Sequence, residues 1–164
     1  IAALEELIPA VTVVTQNIDG LHQAAGSTRV LELHGSIRRY KCLRGKHTGY
    51  TRADLAGQAE KPPRCLQCGD LIRPDIVWFG EYLPEQVMRD AYDACRAADV
   101  ALVVGTSGVV QPAASLPYVA QAAGATVIDV NPEADELSGM ADIFLQGQGG
   151  AVLPQLLDAV RGLR

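Results

Sequence analysis

The sequence predicts an α/β fold, a doubly wound parallel sheet interrupted by one small inserted module. Two observations carry this. Short, largely apolar or β-branched runs (Val11–Val14, Val100–Val104, Thr126–Val130) alternate with stretches whose apolar residues recur at helical spacing, and strands alternating with helices form a parallel sheet covered on both faces. Between them, residues 37–75 change texture: polar and basic, with Gly45, Gly49, Gly57 and the pair Pro62-Pro63, and holding Cys42, Cys65 and Cys68. Such a stretch has little apolar core of its own and is held together by a metal.

In order, Ile1, Leu4, Leu7 and Ile8 share a helical face, predicting a short helix that Pro9 ends. Val11–Val14 is a buried strand. It stops at Thr15-Gln16-Asn17, and Asp19-Gly20 turns the chain into an apolar-polar segment ending at His34-Gly35. Arg52–Ala59 reads as a short helix and Ile76–Phe79 as a strand ended by Gly80-Glu81. Pro84–Ala98 is a helix with Val87, Met88, Ala91, Ala94, Cys95 and Ala98 on one face, which makes Cys95 a core residue. Val100–Val104, apolar on both faces, is a central strand. Ser115–Ala123 is a helix with Ser115 as its cap and Pro117 in its first turn. Thr126–Val130 is a strand closed by Asn131-Pro132, and Ile143–Leu145 is the last strand. Gly147–Gly150 is a loop, and Ala151–Val160 a helix with Leu153, Leu156, Leu157 and Val160 at i, i+3, i+4 and i+7.

Composition narrows the function. The 164 residues suffice for one domain with a real core, and 48% apolar with 20% charged residues is ordinary for a soluble globular chain. A formal net charge of −5 argues against a nucleic-acid surface. No apolar run reaches the roughly 18 residues of a membrane span, and no signal peptide is visible, so the cytoplasm is expected. In that setting the clustered cysteines read as metal ligands rather than disulfides.

Three strands end in small polar residues: Thr15-Gln16-Asn17, Gly105-Thr106-Ser107 and Asn131-Pro132-Glu133. In a doubly wound sheet these ends share one rim, where open parallel sheets take their ligands; position alone equally allows ordinary polar turns. His34, on the polar side of Leu31–Gly35, is by position either a surface residue or a base, since an imidazole titrates near neutral pH. Cys65-Leu66-Gln67-Cys68 has the spacing of a zinc knuckle, with Cys42 earlier in the chain, and a structural site needs a fourth ligand. His47 is either that ligand or merely exposed.

TQNIDGLHQAAGS (Thr15–Ser27), LELHGS (Leu31–Ser36), RPDIVWFGE (Arg73–Glu81), GTSGVVQPAA (Gly105–Ala114) and VIDVNPE (Val127–Glu133) resemble, in order, the motifs of the sirtuins, NAD-dependent protein lysine deacylases. The resemblance implies a Rossmann-like NAD-binding domain from residues 1–36 and 76–164, a zinc module at 37–75, and acyl-lysine proteins or peptides as substrates, without nucleic acid or membrane partners. It places Gln16, Asn17, Ile18 and Asp19 at the nicotinamide and its ribose. Gly105, Thr106, Ser107, Asn131, Pro132 and Glu133 line the adenosine side, with a loop around Gly149 over the adenine. His34 is then the catalytic base: the acyl-lysine oxygen attacks the ribose carbon as nicotinamide leaves, and His34 activates a ribose hydroxyl that takes the acyl group onto ADP-ribose. Asn17 positions water, Asp19 holds the carboxamide twisted, and His22 is structural. Val77, Phe79 and Val109 wall the acyl-lysine channel, with Gly80 and Glu81 beside them. The family's fourth zinc cysteine falls at Gly45, so His47 is its substitute beside Cys42, Cys65 and Cys68. Sirtuins also carry a strand and a Gly-rich phosphate loop ahead of this region, and neither precedes Val11. The expectation is therefore a sheet incomplete at its N-terminal side, the C-terminal two-thirds or so of an enzyme, with a catalytically incompetent NAD- or ADP-ribose-binding module as the alternative.

Overall fold

A computed structural model describes residues 1–163. A 3-10 turn (Ala2–Glu6) leads into β1 (Val13–Thr15), α1 (Leu21–Ala24), β2 (Val30–Glu32), β3 (Gly35–Cys42), α2 (Arg52–Leu55) and β4 (Ile72–Ile76). Then follow α3 (Glu85–Arg96), β5 (Val100–Val104), a 3-10 turn (Ala113–Ser115), α4 (Leu116–Ala122), β6 (Thr126–Asn131), α5 (Glu136–Met140), β7 (Ile143–Gln146) and α6 (Gly149–Gly162).

The α/β class holds, with parallel pairing in two ladders. In one, β1 lies beside β2 with Val13 opposite Val30 and Thr15 opposite Glu32. In the other, β6 lies between β5 and β7, with Val103 opposite Asp129 and Asp129 opposite Phe144. The apolar face predicted for α3 packs as expected: Met88 and Ala91 bury against Leu33, Ala113 and Leu116, and Cys95 joins them. Val103, Val127 and Leu137 form a second core between the three-stranded ladder and α5. A capping box starts α5, in which the Asp135 carboxylate accepts from the Ser138 N–H.

Among the described residues one pair of strands is antiparallel, β3 with β4, with Gly35 opposite Ile76 and Cys42 opposite Ile72. The register jumps between Ser36 and Tyr40, so residues 37–39 bulge out of the ladder. At its far end Cys42, Tyr50, Leu55, Cys65 and Ile72 make a small separate core.

Several elements differ from the sequence expectation. The opening helix is only the 3-10 turn, and none of its residues is buried. Arg52–Ala59 shortens to α2, capped by Thr51. The strand expected at Ile76–Phe79 runs earlier, as β4, because pairing with β3 rather than local apolarity sets its register. Ser115 holds the N-cap position of α4 as expected, but its side chain makes no capping bond; its hydroxyl donates instead to Pro112 O at 2.7 Å. Gly149 does not stand in a loop but opens α6, where an added Cβ would come within 3.0 Å of Val104 Cγ1. The absence of a side chain there lets the first turn of α6 lie on β5. Strand β2, most of β3, and helices α1 and α5 were not anticipated. No helix among the described residues is long and apolar enough to cross a membrane.

Candidate active site and metal centre

The polar ends of β1, β5 and β6 converge, and Thr106 is their hub. Its hydroxyl accepts from Gln16 Nε2 at 3.4 Å, and its carbonyl accepts from Asn131 Nδ2 at 3.0 Å. Asn131 is held from the other side by Asp135 Oδ2 at 3.2 Å. Three strand tips that are far apart in sequence thus share one rim, with Asn17, Gly105, Ser107, Pro132 and Glu133 exposed along it.

His34 sits beside this rim, its Nδ1 at 3.1 Å from the carbonyl oxygen of Gln16. A carbonyl oxygen only accepts, so Nδ1 carries the proton and Nε2 keeps a free lone pair. The imidazole is thereby oriented as a base. Gly35 follows with φ +76°, and a Cβ there would sit 2.0 Å from Asp75 O. Only glycine lets β3 approach β4 this closely immediately after the histidine. Just past the end of β4, the Val77 N–H donates to His34 O at 3.0 Å.

The segment Asn17–Gly20 is fixed by the bulge of β3, which the sequence reading missed. Ile37 N–H donates to Ile18 O at 3.0 Å and Arg38 Nε to Asp19 O at 2.8 Å. The Asp19 carboxylate accepts from Leu21 N–H at 2.9 Å, and the Asn17 N–H donates to the Thr15 hydroxyl at 3.1 Å. Two charged side chains in a bulge carry no periodic signal, so nothing in the sequence announces Ile37 and Arg38 as supports for Asp19. Of the residues expected at the channel, Val77 is half-buried, while Phe79, Gly80, Glu81 and Val109 are exposed.

The metal ligands come together at the far end of the hairpin. One ligand atom from each of Cys42, His47, Cys65 and Cys68 lies within 4.8 Å of all the others. His47 Nδ1 stands 3.9 Å from Cys42 Sγ and 3.3 Å from Cys65 Sγ. Ligands at 2.0–2.3 Å in a tetrahedron are about 3.5–3.8 Å apart, so the donor set fits zinc. Gly45 takes φ +68° in the intervening turn, and the His47 N–H donates to Cys42 Sγ at 3.3 Å. Tyr50 Oη meets Cys65 Sγ at 3.2 Å. Burial opposes the Cys65 thiolate, yet this phenol and the nearby backbone N–H groups of Cys68 and Gln67 outweigh it and bring the thiol down to about 6. The same hydrogen bond pushes Tyr50 up to about 12, so the phenol donates and the sulfur accepts.

An α/β scaffold with a polar rim at its parallel strand ends, an oriented histidine and a Cys3His centre defines the class. The chain belongs to the Sir2 family, whose pattern matches residues 1–112. It is 46% identical over 164 residues to an NAD-dependent protein deacylase of Pyrococcus furiosus, covering 98% of this chain and 66% of the relative. It is 48% identical over 161 residues to NAD-dependent protein deacylase 2 of Pyrobaculum aerophilum, covering 98% and 64%. A solved Sir2 homologue in complex with NAD superposes with a TM-score of 0.90 at 41% identity, over 99% of this chain and 62% of that one. A Sir2 protein bound to a myristoylated histone peptide gives 0.85 at 42% identity, over 100% and 70%. The chain thus spans just under two-thirds of the length of these curated relatives.

Proposed function

We propose that the chain carries out NAD-dependent removal of acyl groups from protein lysines. The carrying observation is the His34 imidazole, held through Nδ1 by the Gln16 carbonyl beside the converged tips of β1, β5 and β6. When bound, NAD supplies an electrophilic ribose carbon and an acceptor for the acyl group. In this reading residues 1–36 and 76–164 form the NAD-binding part and residues 37–75 the zinc module.

His34 takes a ribose hydroxyl proton onto Nε2, because Nδ1 is already committed to Gln16. Gln16, Asn17, Ile18 and Asp19 border the nicotinamide end; the hold of the β3 bulge on Ile18 and Asp19 fixes that border before ligand arrives. The amide of Asn131, oriented by Thr106 and Asp135, stands with Gly105, Ser107, Pro132 and Glu133 for the adenosine end. Gly149, at the start of α6 against β5, belongs to that end through backbone approach. Exposed Phe79 and Val109, with Val77, Gly80 and Glu81, receive the acyl-lysine segment by strand addition. We place the protein in the cytoplasm, where a three-thiolate metal centre stays reduced.

The test is nicotinamide release and loss of peptide acetyl mass when the full-length protein is mixed with NAD and an acetyl-lysine peptide. His34→Ala lowers turnover by roughly 10²–10⁴-fold, the usual worth of a positioned base. Binding of NAD without nicotinamide release overturns the enzymatic reading, and turnover unchanged in His34→Ala overturns the role of the imidazole.

A further inference from the structure

We infer that Arg73 and Glu81 form a clasp that shapes the Trp78–Phe79 edge for an acyl-lysine peptide, acting as positioning residues; this rests on the deacylase reading above. Arg73 lies on β4 and is only 9% exposed. One arm of its guanidinium donates to Ile76 O at 3.1 Å, the other pairs with the Glu81 carboxylate, and its plane lies 4.1 Å from the centre of the Trp78 ring. The second Glu81 oxygen accepts from the Trp78 N–H at 3.1 Å, and the Glu81 N–H donates to Trp78 O at 2.9 Å. One carboxylate therefore closes the turn and ties it to β4 at the same time.

The turn bends at Gly80, with φ +86°, and at its apex Phe79 is fully exposed. An aromatic ring left in water on a turn pinned from both sides is the signature of a contact prepared in advance, since fixing the edge beforehand removes the ordering cost from binding. Burying a guanidinium is costly unless its donors are met; here the two terminal nitrogens find their partners in the segment Ile76–Glu81, while the buried Nε has none among the described residues. The Val77 N–H, one residue past β4, holds the backbone carbonyl of His34 just ahead of β3, so a single backbone hydrogen bond ties the clasp's segment to the residue that carries the imidazole. Lysine cannot replace arginine here: it is a point charge that neither forks to two acceptors nor stacks on an indole.

The experiment measures binding of a fluorescein-labelled acetyl-lysine peptide and, separately, of ADP-ribose to the full-length protein. Trp78, the single tryptophan of this chain, reports the edge through its emission. Arg73→Lys and Glu81→Gln each weaken peptide binding about tenfold and shift Trp78 emission to the red, the double variant binds no more weakly than either single one, and ADP-ribose affinity stays unchanged. Peptide affinity unchanged in Arg73→Lys, or two losses that multiply in the double variant, overturns the clasp. Should Arg73→Lys fail to fold, Glu81→Gln decides by the titrations together with Trp78 emission of the free protein: a red shift with weaker peptide binding supports the clasp, and emission that does not move overturns it. A wild-type protein that binds ADP-ribose but no peptide overturns the deacylase reading itself.

Discussion

At the scale of single residues, Asp129 is the least expected group in the molecule. It lies in the middle of β6 between Val103 and Phe144 with 0% exposure, and neither carboxyl oxygen has a hydrogen-bond partner among the described residues. Burial first, and the charge of Asp135 second, push its pKa up. A carboxyl whose folded-state value exceeds its unfolded one contributes fully below the ordinary carboxylate range, and that contribution is lost as pH rises through the folded value. Asp129→Asn is therefore expected to raise the melting temperature by a few degrees at pH 8, with the gap closing below pH 4; thermal scans across pH check it. Glu81 has the opposite sign: Arg73 holds its carboxyl below the usual range, so its share of stability is lost on acidification. The sequence reading placed both acids correctly along the chain, one in a strand and one at a turn. It could not see their environments, because burial and pairing arise from partners 26 residues away on β5, or across the turn from β4.

Among the elements, the β3–β4 hairpin carries the most and was the least legible. Arg38, Arg39 and Lys41 break any period-two pattern, and the bulge at residues 37–39 displaces what remains of it. The cysteine spacing, by contrast, was readable, and the family resemblance, which puts a fourth cysteine at Gly45, implied His47 two residues on as its substitute. Tyr50 was not, since a tyrosine 15 residues ahead of a zinc knuckle has no spacing signature. Tyr50→Phe is expected to lower zinc affinity about 10–100-fold through loss of its hydrogen bond to Cys65, measured by competition with a chromogenic chelator. His47→Ala is expected to lose the metal under the same conditions, whereas His47→Cys keeps it. Gly35→Ala tests the root of the hairpin. With Asp75 O at 2.0 Å from the new Cβ and φ at +76°, the strands cannot close, and the variant is expected to lose several kcal/mol and to fail to give a cooperative melt.

For the whole molecule, alternating strands and helices were legible because the strands of the three-stranded ladder are short, mainly apolar runs, with Asp129 the one charged residue among them. The convergence of the rim followed from topology. What the sequence could not reveal were the side-chain bonds that make the rim one object, above all Thr106 between Gln16 and Asn131. Because those three residues belong to different strands, a ligand that spans them stabilises the assembly as a unit. ADP-ribose at a hundred times its dissociation constant is expected to add about 2.7 kcal/mol, read as a rise in melting temperature, and Thr106→Ala is expected to shrink that rise.

The geometry of the hairpin has a mechanical corollary. Everything between Cys42 and Ile72 hangs from the body on a single two-stranded stalk, one rail of which begins beside His34 while the other ends beside Val77. Any swing of the hanging portion pivots at that root, so its motion is delivered to the imidazole and the peptide edge together rather than to either alone.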